Sequence, residues 1–117
     1  MIYFDAHCDT ILRLLQTEEN LLENSFQVDL KRLSGLGQAV QVFALCVSPA
    51  CCEIDAVRRA FALIDRYNRE ILKYPEWVLP CNRYSDVQDA LRRGKVAALL
   101  SIEGWEALAG GVEALRI

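Results

Sequence analysis

The stretch that decides the fold class is Lys95–Glu103, KVAALLSIE, which is almost continuously apolar until its last residue. A second run of this kind, AVQVFALCV, occupies Ala39–Val47 and is rich in valine. Runs of this length and composition are typical of strands that are buried on both faces of a parallel sheet. Each is followed by a residue that ends a strand, Gly104 after the first and Pro49 after the second. The sequence therefore predicts two buried parallel strands.

The segments before these two runs predict a further strand and two helices. Ile2–Ala6 is short and β-leaning, and it predicts a first strand that ends at His7-Cys8-Asp9. Thr10 is placed to cap a helix that follows directly. Asp29–Leu33 predicts a short helix, which the glycines after it would end.

The rest of the chain continues the alternation. The longest helical pattern covers Glu53–Tyr74 and is stopped by Pro75. Its apolar residues recur at steps of three and four: Ile54, Val57, Phe61, Ile64, Tyr67, Ile71 and Leu72. A further helix is predicted to begin with Ser85 as its N-cap and to end at Gly94, and Val112–Arg116 predicts the start of another.

This alternation of strands and helices predicts an α/β fold with parallel strands and right-handed crossovers. No linker, repeat or low-complexity segment divides the chain, so residues 1–117 are predicted to form a single domain.

Composition and charge exclude some classes of function. The net charge is -3 and the isoelectric point is about 5.1. Nucleic acids and anionic membranes usually need a clustered basic face, so neither is expected as a partner. The start Met1–Asp5 has no basic region and no long apolar run, and no stretch approaches the roughly 18 apolar residues of a membrane span. The expectation is a cytoplasmic protein.

The five cysteines form no CxxC pair and are odd in number. In a reducing compartment they are expected to be free thiols that pack as small hydrophobic residues. Cys51-Cys52 is expected in a loop, with a metal-binding or redox pair as the alternative. Cys8 lies between two candidate ligands and is expected to point to the opposite side of the backbone.

Three residues with metal-binding side chains fall at predicted strand ends. His7 and Asp9 stand two positions apart after the first strand, and Glu103 ends the strand over residues 95–103. Residues i and i+2 of a strand point to the same side, and the carboxyl ends of parallel strands face the active site. An imidazole nitrogen and carboxylate oxygens suit a borderline metal such as zinc. Glu103 has two oxygens, so it can bridge two ions roughly 3.5–4 Å apart.

The same residues are also compatible with purely structural roles. His7 would then bond a backbone carbonyl, Asp9 would cap the next helix, and Glu103 would be a charged strand end. Other catalytic classes find no support, because His7 is the only histidine and the sequence has no GxSxG, GxGxxG or GxxxxGK[ST] motif. Gly110-Gly111 is predicted to be a turn.

At these residues the chain resembles the membrane-dipeptidase (renal dipeptidase) family of metallopeptidases, peptidase family M19. Phe4–Thr10 resembles the family's DxHxD start, and Val28–Leu33 resembles its D-L-x-R-L segment. Gln41–Ala44 and Gly94–Gly104 resemble its second and third strands. The resemblance extends in order over nearly the whole chain.

The resemblance implies a TIM-like (β/α)8 barrel of the metal-dependent hydrolase superfamily, of which this chain would be an N-terminal fragment with about three β/α units. It implies hydrolysis of dipeptides by a water activated between two zinc ions. His7 and Asp9 would bind one zinc, and Glu103 would bridge both. A cyclic-amide hydrolase is the alternative within the superfamily, but that branch more often has HxH on its first strand.

Two departures from the family pattern shape the expectations. Trp105 replaces a second glycine after Glu103-Gly104, and it is expected either to narrow the substrate entrance or to fold over the exposed edge of the sheet. The family's further histidine ligands have no counterpart here, which predicts weak or absent zinc binding and no dipeptidase activity for this chain. Apolar strands with open edges predict a homo-oligomer, association with a segment that carries the remaining strands, or helices of the chain that cover the sheet. A metal-free interaction or structural domain derived from such an enzyme is the alternative function.

Overall fold

The structure is a computed structural model, and it describes residues 1–47, 53–104, 106–108 and 111–113, without the side chain of Glu53. Four strands form one parallel sheet in the order β1-β2-β4-β3. The elements in chain order are β1 (Ile2–Cys8), α1 (Thr10–Leu14), α2 (Leu30–Gly35), β2 (Gln38–Cys46), α3 (Glu53–Lys73), β3 (Val78–Pro80), α4 (Tyr84–Arg92), β4 (Val96–Glu103) and a 3-10 turn (Glu106–Leu108). The predicted α/β class with parallel strands is confirmed.

Strands β2 and β4 occupy the two inner positions of the sheet, as their apolar composition predicts. Most side chains of β2 are buried on both faces, because helices pack against both faces of the sheet. Val40 pairs with Ala97 and Cys46 pairs with Glu103 in the β2–β4 register, so the two strands end together. The carboxyl end of β4 therefore lies at the same edge of the sheet as the end of β1.

The two faces of the sheet are covered unequally. Alternate residues of β2 and β4, such as Phe43 and Ala98, pack with α1, α2 and α3 in the larger core. The intervening residues Val40 and Ala97 pack with Ala90 of α4 in a smaller cluster. Helix α4 packs on this second face at the level of Val40 and Ala97, whereas Phe4 of β1, which pairs with Val40, is 63% exposed on the same face.

The sheet has one strand more than the sequence predicted. Strand β3, Val78–Pro80, pairs in parallel with Val96–Ala98 at the start of β4. Three residues that end in proline are too few to show a periodicity, and proline at this place is tolerated because β3 is an edge strand. The prediction of about three strands is corrected to four.

Several predicted boundaries need correction. Asp9, not Thr10, occupies the N-cap position of α1. Arg83, not Ser85, occupies that of α4, where the Asp86 carboxylate accepts hydrogen bonds from the backbone N–H groups of Asn82 and Arg83. The residue expected as the N-cap lies one position inside α1 and two positions inside α4.

The apolar pattern of α3 is only partly a core pattern. Leu63, Tyr67 and Ile71 are buried, as are two alanines of the same face. Ile54 and Phe61 are exposed. A window of apolar residues at helical spacing cannot say which of two neighbouring stripes faces the sheet, and α3 turns its alanine-containing stripe inward.

Some sequence-based predictions fall outside the described residues. They concern Pro49, Cys51-Cys52, Trp105, Gly110 and the carboxyl-terminal helix start over 112–116, of which only 112 and 113 are described. Across the part of the chain that is described, no helix has both the length and the apolar character that crossing a membrane requires.

Candidate metal centre

His7 lies in a β-bulge near the end of β1. Asp5 pairs with Gln41 and Cys8 pairs with Phe43, so β1 advances by one residue more than β2 between these pairs. Such an extra residue bends the strand and redirects side chains. Cys8 then points into the main core, where it is 8% exposed, while the His7 side chain stays 48% exposed. The predicted opposite orientation of Cys8 is confirmed.

Asp9 comes after the strand rather than within it. Its backbone has φ -94° and ψ 17°, the bridge region in which many active-site residues are found. Although Asp9 stands at the N-cap of α1, its carboxylate makes no capping hydrogen bond. Oδ1 lies instead 3.3 Å from Nε2 of His7. The two side chains meet as predicted, but a turn into the helix brings them together, not strand alternation.

Glu103 reaches the same place from the end of β4. Its Oε2 lies 3.5 Å from Nδ1 of His7, although β2 separates the two strands. Cys46 pairs with Glu103 in the strand register and is the β2 residue at this edge. The convergence that the sequence predicted for three residues is therefore present in the fold.

The three side chains have the chemistry and spacing of a cation site. One ligand atom from each of His7, Asp9 and Glu103 can be chosen so that all lie within 4.8 Å of one another. A tetrahedral ion with bonds of about 2.1 Å would hold its ligand atoms roughly 3.4 Å apart. All three side chains are about half exposed, so an ion from solvent can reach them. The residues fit a single divalent ion.

The present arrangement differs from a loaded site in one respect. Each ring nitrogen of His7 faces a different carboxylate, Nε2 facing Asp9 and Nδ1 facing Glu103. An ion binds one imidazole nitrogen. On binding, at least one carboxylate must exchange its contact with the ring for a contact with the ion.

A cleft of about 390 Å³ opens beside His7 and Asp9. Its wall includes Asp5, His7 and Asp9 together with Arg13 of α1 and the backbone region around Val28. The Thr10 hydroxyl donates a hydrogen bond to the Val28 carbonyl at 3.4 Å, which fixes the start of α1 against this wall. The candidate site thus has space for a small molecule next to its metal-binding groups.

Cys46 is a neighbour of the site that sequence reasoning passed over. Burial, a hydrogen bond with Glu103 and the negative charges of Glu103 and Asp9 raise the pKa of its thiol. The position of Cys46 at the end of β2 could have indicated that it neighbours the site, because strand ends at this edge face the site. Its small apolar character led to its assignment to the core instead.

These features together define a parallel α/β protein with a candidate metal centre at the carboxyl edge of its sheet. The family model of membrane dipeptidase, peptidase family M19, matches residues 1–117. The chain belongs to this family.

Solved structures show the same fold. A metallo peptidase from Rhodobacter sphaeroides, liganded with a phosphinate mimic of the dipeptide L-Ala-D-Ala, superposes with a TM-score of 0.85 and 22% identity. The dipeptidase AC, a metallo peptidase of family M19, superposes with a TM-score of 0.85 and 23% identity. Each match covers 99% of this chain but only 42% and 40% of the respective relative. The chain therefore corresponds to less than half the length of these TIM-barrel-like relatives.

Proposed function

We propose that this chain is the amino-terminal part of a metal-dependent dipeptidase and that His7, Asp9 and Glu103 are its ligands for a zinc ion. The supporting observation is that these side chains, from β1, the start of α1 and β4, meet within 4.8 Å in a member of a metallopeptidase family. Three protein ligands with a further position open is the usual arrangement of a catalytic zinc.

The donor set also explains what the residues would contribute to hydrolysis. A bound zinc ion supplies Lewis-acid polarisation of a carbonyl and lowers the pKa of water. His7, Asp9 and Glu103 would hold such an ion next to the cleft that His7 and Asp9 line, and the two carboxylates would offset its charge. By analogy with the relative that holds a mimic of L-Ala-D-Ala, the substrate of the whole protein would be a dipeptide. Within the described residues no second cluster of three metal-binding side chains occurs.

The metal site can be tested through its histidine. His7 is the only histidine of the chain, so its imidazole gives one set of NMR signals. Excess Zn²⁺ should shift these signals in the parent chain, although the lack of further histidine ligands predicts that binding is weak. Asp9→Asn and Glu103→Gln should weaken the binding, whereas Glu76→Gln, which alters an exposed carboxylate outside the cluster, should not. If Zn²⁺ leaves the His7 signals unchanged, or all variants bind alike, these residues are not the ligands.

The hydrolytic part of the proposal concerns the whole protein. Glu103 is the only residue proposed here that would also contact a second ion, so two-ion hydrolysis by this chain alone is not expected. L-Ala-D-Ala incubated with the chain and excess Zn²⁺ should release no alanine above a protein-free sample. Release that Glu103→Gln abolishes would show that the chain is active by itself.

A further inference from the structure

The middle of β2 contains a polar side chain that apolar packing does not explain. Gln41 is fully buried, in a strand whose neighbouring residues are apolar. Burial of an amide is unfavourable unless its groups are hydrogen-bonded. Its Nε2 donates to Oδ2 of Asp5 at 3.0 Å and to the carbonyl of Val42 at 3.0 Å. Its Oε1 is buried and has no hydrogen-bond partner among the described residues.

The orientation of Gln41 follows from its partner. An ionised carboxylate only accepts hydrogen bonds, so the amide nitrogen must face Asp5. This choice leaves Oε1 without a donor. Gln41 thus bonds Asp5 although one of its own buried atoms stays unpaired. This indicates that the bond to Asp5 holds that carboxylate in a required position.

Asp5 in turn contacts the backbone of the candidate metal ligand. Its Oδ1 accepts a hydrogen bond from the His7 N–H at 3.1 Å. This bond lies within the β-bulge, which begins after the pair of Asp5 and Gln41. The chain of contacts therefore runs from the buried amide of β2, through one carboxylate, to the backbone of His7.

The side chain of His7 needs such support because its own surroundings restrain it little. It is 48% exposed, and its polar contacts are with two carboxylates that are about equally exposed. The direction of the ring is then set mainly by the backbone of the bulge. A ligand that is displaced by about 1 Å binds a metal poorly, so control of this backbone controls the site.

We propose that Asp5 and Gln41 are positioning residues, which hold the bulge in the shape that aims His7 at Asp9 and Glu103. The inference rests on the proposed function where it concerns metal affinity. Its metal-free part, the hydrogen bond that the Asp5 carboxylate accepts from the His7 N–H, does not depend on that function.

The test compares variants that remove or keep the acceptor. Asp5→Ala removes it, whereas Asp5→Asn keeps an oxygen for the His7 N–H and offers an amide to Oε1 of Gln41 after that side chain turns over. Gln41→Met removes the anchor while keeping the volume, and serves if Asp5→Ala does not fold. Glu70→Ala is the control, because it removes a buried carboxylate that likewise accepts a hydrogen bond from a backbone N–H, that of Leu21, away from β1.

The first measurement is Zn²⁺ affinity, followed through the His7 imidazole signals. Loss of an outer partner of a metal ligand typically weakens metal binding about 10- to 100-fold. We expect this loss in Asp5→Ala and Gln41→Met, near-parent affinity in Asp5→Asn, and no comparable loss in Glu70→Ala. Equal weakening in Asp5→Ala and Glu70→Ala, or failure of Asp5→Asn to restore binding, would overturn the proposal.

The second measurement needs no metal. The His7 amide proton should resonate downfield in the parent and in Asp5→Asn, because it is hydrogen-bonded, and move upfield in Asp5→Ala. If the parent binds no Zn²⁺ but the amide behaves in this way, the proposed function fails and the positioning role stands. If Zn²⁺ binds and the amide does not respond to Asp5→Ala, the positioning role fails by itself.

Discussion

At the scale of single residues, the same side-chain type has different roles according to its partners. Asp9 stands at an N-cap but directs its carboxylate to His7. Asp29 stands at the N-cap of α2 and does cap it, accepting a hydrogen bond from the Arg32 N–H at 2.8 Å. An N-cap aspartate without its capping bond is therefore a signal that the carboxylate is used elsewhere.

The capping aspartate predicts a stability change. Asp29 is 3% exposed and also accepts a hydrogen bond from Nε of Arg32 at 2.7 Å. We expect Asp29→Ala to lower the free energy of unfolding by about 1–3 kcal/mol, since the helix loses its cap and a charged hydrogen bond. Urea denaturation measures this change. Glu23→Ala, which removes an exposed ion pair with Lys31, is the control and should cost less than about 1 kcal/mol.

The same residue predicts a dependence on pH. Burial alone would raise the pKa of Asp29, but hydrogen bonds from Arg32 and Asn24 and the charge of Arg32 outweigh it, so the pKa lies below its usual range. A lowered pKa in the folded state stabilises the fold above the unfolded pKa of about 3.9, and this stability is lost as the pH falls through the folded value. The free energy of unfolding of the Asp29→Asn variant should therefore fall less than that of the parent when the pH is lowered below about 5. Parallel pH profiles of the two chains would contradict this.

At the scale of elements, polar side chains of α3 hold a connecting segment against that helix through hydrogen bonds. Glu70 of α3 is fully buried and accepts hydrogen bonds from the Leu21 N–H at 2.8 Å and from Lys73 Nζ at 2.7 Å. Arg66 on the preceding turn of α3 donates to the Glu19 carbonyl at 2.7 Å. Together they attach the connection between α1 and α2 to the longest helix.

Because of this attachment, we expect Glu70 to contribute more to the free energy of unfolding than an exposed ion pair on the same helix does. Glu70→Ala leaves the buried Leu21 N–H without its acceptor and should lower the free energy of unfolding by about 2–4 kcal/mol. Asp65→Ala removes an exposed ion pair with Arg69 on the same helix and should change it by less than about 1 kcal/mol. Thermal or urea unfolding of both variants gives the comparison, and similar losses would contradict the assigned role.

The turn between α4 and β4 allows a test of backbone conformation. Gly94 has φ +67°, and the bonds from Gly94 N–H to Leu91 and from Lys95 N–H to Ala90 close the end of the helix. Gly94→Ala should lower stability by about 1–2 kcal/mol because a Cβ disfavours this conformation, although nothing lies near the added atom. Gly35→Ala adds the same atom in helical backbone and should be neutral or stabilising. Denaturation midpoints that fall equally in both variants would contradict this reasoning.

At the scale of the whole molecule, one face of the sheet is covered and the other is partly open. Phe4 pairs with Val40 in the register, so it lies on the face that α4 covers, but at the β1 edge of the sheet. Phe4 is 63% exposed. Beyond Ala98, moreover, β4 has no pairing partner on its β3 side within the described residues. Open apolar faces and strand edges favour association.

This surface predicts that the chain associates with itself when it is alone. Light scattering over a range of concentrations should give a mass above 13.2 kDa that rises with concentration. Phe4→Glu should shift the distribution towards the monomer, because it places a charge on the open face. Leu72→Glu, which alters an exposed apolar residue of α3 instead, should leave the distribution unchanged. A monomer at every concentration would contradict self-association, and equal effects of both variants would contradict the assigned surface.

The sequence by itself determined the α/β class, the two buried strands β2 and β4, and the three residues that meet at the carboxyl edge. These features are encoded locally, since apolar runs report burial and parallel strands place their ends at one edge. Only the tertiary structure decided that β2 lies between His7 and Glu103, that β3 joins the sheet, and that a bulge held by Asp5 and Gln41 redirects His7. The physical reason is that strand order, register and the pairing of buried polar groups depend on residues far apart in the chain, which no local pattern records.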